Sequence, residues 1–69
     1  MYTVDCPDQH ISWEYCTINE DGEIIEDAED LFWSARIAAE DLTKRYPVSA
    51  VYLMKDGELS YRWFNGEIT

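Results

Sequence analysis

The chain has 69 residues, a formal net charge of −10, and 46% hydrophobic residues that include three Trp, five Tyr and two Phe. That length allows one small domain, residues 1–69, with a core near the lower limit for folding alone, and so rich an aromatic content excludes an acidic disordered tail. All of the net charge lies in residues 1–35, which hold ten acids and no Lys or Arg. Such a field repels nucleic acid and anionic membrane and attracts basic surfaces.

Read in order, Met1 to Asp5 has β-type residues and is stopped by Pro7. From His10 to Ile18 the pattern alternates. Ile11, Trp13, Tyr15 and Thr17 share one face, and Ser12, Glu14 and Cys16 share the other, which predicts a half-buried strand. Asn19-Glu20-Asp21-Gly22 is a turn, and Glu23 to Ile25 returns as the second strand of a hairpin.

Asp27 to Arg45 is the one predicted helix. Asp27 caps it, with Asp30 three residues on, and Glu29 suits the positive end of the dipole. Lys44 and Arg45 fall in the last turn and Pro47 ends it. Ala28, Leu31, Ala35, Ala38, Leu42 and Tyr46 make the buried seam, widened by Phe32 and Ala39.

Val48 to Met54 and Glu58 to Phe64 flank Asp56-Gly57, a strong hairpin signal that sets Lys55 opposite Glu58. With Asp56-Gly57 as a two-residue turn, Ala50, Tyr52 and Met54 share a face with Leu59, Tyr61 and Trp63, the face expected under the helix. Val51 and Leu53 fall on the other face with Ser60, Arg62 and Phe64. Asn65-Gly66 closes the last strand. The expected fold is α+β in two layers: one helix packed on a small antiparallel sheet, in the order β-β-α-β-β, with room for one more short β piece at the N-terminus.

No apolar run approaches the ~20 residues of a membrane span, and the N-terminus lacks the basic start and apolar stretch of a signal peptide. The expectation is a cytoplasmic protein with no membrane partner, in which Cys6 and Cys16 are reduced thiols; a Cys6–Cys16 disulfide is the alternative.

The acidic run is the main candidate site. Glu20, Asp21 and Glu23 in the turn and returning strand, then Glu26, Asp27, Glu29 and Asp30 at the helix start, form an array of carboxylates. Neighbours three or four apart on a helix sit about 5–6 Å apart at Cβ. Spacings of that order imitate the phosphates of a nucleic-acid backbone. The plainer reading is a solvated face with ordinary capping acids. Trp33 and Ile37, one helical turn apart and turned away from the seam, make an apolar pair rimmed by charge, a pattern typical of protein contacts. The alternative places Trp33 in packing against an N-terminal loop.

Other chemistries find little support in the residues. Asn19 to Glu23 does not follow the ligand spacing of a calcium loop. Cys6, His10 and Cys16 match no common zinc module and lack a fourth ligand. One His and two Cys give no nucleophile–base motif, so no catalytic residue, metal or cofactor is assigned. Five basic residues against fifteen acids speak against direct nucleic-acid binding.

As an architecture and a charge pattern, the whole chain resembles the small phage-encoded anti-CRISPR and anti-restriction proteins. The resemblance rests on Glu20-Asp21-Gly22-Glu23 through Glu26-Asp27-Ala28-Glu29-Asp30, the helix to Tyr46-Pro47, and the hairpin around Lys55-Asp56-Gly57-Glu58. Members of that class often occupy the nucleic-acid channel of a bacterial defence complex, some as acidic mimics and others by surface complementarity. The class has no common functional motif, so no residue role carries over.

The resemblance implies a non-catalytic acidic inhibitor in the bacterial cytoplasm, acting as monomer or homodimer on a basic nucleic-acid-binding protein. The alternative is another acidic interaction module: an antitoxin, a nuclease-immunity protein or a phage accessory subunit.

Overall fold

The computed structural model describes residues 1–25 and 29–69. Strand β1 (Tyr2–Cys6) is followed by a single 3-10 turn at Pro7–Gln9, then β2 (Ile11–Tyr15), β3 (Thr17–Ile18) and β4 (Ile24–Ile25). Helix α1 (Glu29–Arg45) comes next, then β5 (Val51–Lys55), β6 (Glu58–Phe64) and β7 (Glu67–Ile68). The class is α+β, with one helix on an antiparallel sheet of order β2-β1-β5-β6-β7, and a separate ribbon of β3 and β4.

The order β-β-α-β-β is not matched. The N-terminal piece is a full strand inside the sheet, where β1 pairs with β2 on one side and β5 on the other. The predicted strand from His10 to Ile18 breaks after Tyr15. Its first part joins β1, and only Thr17 and Ile18 pair with the returning strand, opposite Ile25 and Ile24. A seventh strand follows Asn65-Gly66, which is a hairpin turn and not a stop: Phe64 pairs with Glu67 and Trp63 with Ile68.

Both two-residue turns hold their residues at positive φ, 51° and 83° at Asp56-Gly57 and 57° and 83° at Asn65-Gly66. That is the I′ geometry whose twist matches the flanking strands.

The core lies between α1 and one sheet face. Tyr2, Val4 and Cys6 of β1, Val51 and Leu53 of β5, and Trp63 of β6 meet Leu31, Ala35, Ala39 and Leu42 of the helix. Ala35 and Ala39 are wholly buried, and their small side chains let the helix backbone come close to the sheet. Of the predicted seam, Leu31, Ala35, Ala39 and Leu42 are buried, and Ala28 lies outside the described residues. Ala38 is only half-buried, and Thr43 replaces it at the buried edge. There the Thr43 hydroxyl accepts the Gly66 N–H at 3.0 Å, and the Pro47 carbonyl accepts the Asn65 N–H at 3.0 Å. The last hairpin is thus tied to the helix end.

The face expected under the helix is corrected. Lys55 does oppose Glu58 and Met54 opposes Leu59, but Leu53 then opposes Tyr61 and Val51 opposes Trp63. The register step leaves Ser60 as an extra residue, a β-bulge that reverses the inside–outside alternation of the rest of β6. Val51 and Leu53 therefore join Tyr61 and Trp63 under the helix. Tyr52, Met54, Leu59 and Phe64 lie on the opposite, uncovered face.

Candidate functional site

Glu20, Asp21 and Glu23 are exposed around the turn of the β3–β4 ribbon. Asn19 builds that turn. Its Oδ1 accepts the backbone N–H groups of Asp21 and Glu23 at 3.0 and 2.9 Å. Its own N–H donates to the Glu23 carbonyl at 3.0 Å, and its carbonyl accepts the Gly22 N–H at 3.1 Å. Gly22 sits at φ 80°, as a three-residue hairpin loop requires of its last residue. With Asn19 turned inward, the three carboxylates are left facing solvent.

Glu29 and Asp30 are exposed in the first turn of α1, where the free N–H groups and dipole favour negative charge. Glu26 and Asp27, with the predicted cap, lie outside the described residues. Among the described residues, ion pairs join Arg36 to Glu40, Arg45 to Asp41, and the Met1 amine to Asp56. None of them involves Glu20, Asp21, Glu23, Glu29 or Asp30. These five carboxylates thus project an uncompensated field, and the residues able to neutralise it occupy the other half of the chain.

Trp33 and Ile37 are 52% and 67% exposed, in the first half of the helix that begins with Glu29 and Asp30. At that exposure Trp33 is not buried against an N-terminal loop. Arg36 holds Trp33 in place, with its guanidinium 5.8 Å from the Trp33 ring centre and 5.3 Å from that of Tyr61. Its Nε donates to Glu40 Oε1 at 2.9 Å. Phe32 meets the indole nearly edge-on, at 5.3 Å and 70°. A half-exposed indole fixed in this way loses little side-chain freedom when it is covered.

Sequence reasoning missed this clamp, because cation–π contacts with both a helix neighbour and a distant strand residue have no local signature. It also passed over Ile18, Ile24 and Ile25, which are 64%, 63% and 39% exposed on the ribbon. The signal was available as isoleucines on both sides of an acidic turn.

The uncovered sheet face carries an open groove of about 610 Å³ lined by Asp5, Pro7, His10, Ile11, Ser12, Tyr52 and Met54. Acid, imidazole and hydroxyl all occur here, but the Ser12 hydroxyl donates to Asp5 Oδ1 at 2.7 Å. That bond directs it to a carboxylate and not to a histidine base. Among the described residues no three His, Cys, Asp or Glu side chains converge as a metal site would require. No helix among them is long and apolar enough to cross a membrane.

Both cysteines are free, Cys6 buried and Cys16 exposed. Tyr15, the neighbour of Cys16, pairs with Tyr2. Tyr2 lies four residue steps from Cys6 along β1, about 13 Å at 3.3 Å per residue, which sets the backbone at the Cys16 end of β2 well beyond the roughly 7 Å Cα separation a disulfide allows. Burial, with a smaller contribution from the nearby Asp8 charge, raises the Cys6 thiol above its ordinary pKa; a hydrogen bond with the Gln9 backbone opposes that rise. A thiol-alkylating reagent on the native protein should modify Cys16 quickly and Cys6 only when the domain opens. Peptide mapping after timed quenching checks this, and equal rates at both sites would contradict the buried position of Cys6.

Comparison of the chain with protein-family models, with curated proteins and with solved structures finds no match.

Proposed function

We propose that the chain is a non-catalytic inhibitor whose acidic face docks on the Lys/Arg-lined nucleic-acid-binding surface of a bacterial defence complex. It would thereby exclude DNA or guide RNA in the manner of an anti-CRISPR protein. One observation carries the reading: the ten acids of residues 1–35 have no basic residue among them. The five described at the ribbon turn and helix start are exposed, and the exposed Trp33–Ile37 pair lies on the same helix as two of them. Charge gives steering and specificity, and a fixed indole gives an apolar anchor.

The test is competition binding against purified CRISPR effector and restriction complexes with labelled DNA or RNA. The expected result is displacement of nucleic acid from one of them. Affinity should fall steeply as salt rises and the Debye length shortens from about 10 Å at 0.1 M to about 3 Å at 1 M. The protein alone should bind neither DNA nor RNA. A target that holds this protein and its nucleic acid together, with undiminished affinity for each, would refute exclusion.

A further inference from the structure

We propose that the β3–β4 ribbon is the element that enters the partner, its Ile18–Ile24 pair seating on an apolar surface rimmed with Lys and Arg. The inference rests on the reading of the partner as a basic protein and adds which part of the chain penetrates it. Ile18 and Ile24 are direct cross-strand partners, so their side chains stand side by side on one face of the ribbon, both more than 60% exposed. An isolated hairpin is marginal in water, and this one has only two paired positions. It is held instead by the four hydrogen bonds around Asn19 and by Gly22 at positive φ. A preformed ribbon loses little conformational entropy on binding.

Charge selects the occupant. Glu20, Asp21 and Glu23 lie within five residues of both isoleucines, and no Lys or Arg occurs before Arg36. A second copy would bring a like field against them. An anionic lipid surface is repelled on the same ground. A basic rim around an apolar floor satisfies both halves of the ribbon.

Two synthetic helical peptides of equal positive charge test this, one with a Leu stripe and Lys flanks and one with Gln in place of Leu, titrated by fluorescence anisotropy. The wild-type protein should bind the Leu peptide at least about tenfold more tightly, the scale of burying two aliphatic side chains. Ile18→Thr with Ile24→Thr keeps β-branching and should abolish that preference while leaving the Gln peptide unaffected. Ile18→Val with Ile24→Val should retain most of it, which separates lost apolar contact from a lost ribbon. No preference in the wild type would overturn the proposal, as would a preference that survives the threonine pair and vanishes in Trp33→Ala. Failure of the acidic reading shows separately, as binding of both peptides that does not respond to salt.

Discussion

Trp63→Ala should largely unfold the domain, while Trp33→Ala should leave it folded and weaken its binding to the proposed basic partner. Trp63 is 2% exposed, stands opposite Val51 under the helix and packs 5.8 Å from the Tyr61 ring. Truncating a core Trp costs about 3–5 kcal/mol, most of what a domain of this size has in reserve. Trp33 is 52% exposed and, among the described residues, gives up the edge contact with Phe32 and the Arg36 cation–π contact. Together these are worth about 1–2 kcal/mol of stability. At an interface the same truncation should cost at least about 2 kcal/mol, roughly thirtyfold in affinity. Urea melts followed by far-ultraviolet circular dichroism measure the first effect and a binding isotherm the second. Equal loss of stability in the two variants would place Trp33 in the core and remove it from the contact face.

Reversing Glu20, Asp21, Glu29 and Asp30 to Lys takes the formal charge from −10 to −2 and should abolish partner binding without unfolding the chain. All four side chains are exposed and none is in an ion pair among the described residues. Two effects on stability oppose each other. Lysines in the first turn of α1 meet the positive helix end, at about 0.3–1 kcal/mol each, and relief of self-repulsion works the other way. The wild type should therefore gain stability as salt rises, and the variant should gain much less. A folded quadruple variant with unchanged affinity would eliminate the acidic face as the recognition element. Salt-independent wild-type stability would show that the carboxylates do not strain the fold.

Several elements were legible from local residues because their causes are local. Seam spacing and Pro47 define the helix and its end. Asp56-Gly57 adopts the positive φ values that its residue types favour, so the turn and the Lys55–Glu58 pairing followed from four residues. Asn65-Gly66 carries the same signal, yet only three residues follow it, too few to display an alternation, and β7 went unread. In the candidate site, charge and helical spacing sufficed to expect exposed carboxylates and an outward Trp33.

What only the tertiary structure decided is who pairs with whom. β1 lies between β2 and β5, a long-range choice made by burying Val4 and Cys6 under the helix, and no neighbouring residue announces it. The bulge at Ser60 was equally invisible, although it changes which half of the hairpin is core. One extra residue reverses the period-two alternation, and it is favoured because it brings Tyr61 and Trp63 onto the side where Ala35 and Ala39 leave room. The strand break at Cys16 has the same origin. Once β1 takes Ile11–Tyr15 into the sheet, only Thr17 and Ile18 remain for the returning strand, and their ribbon presents its isoleucines to solvent.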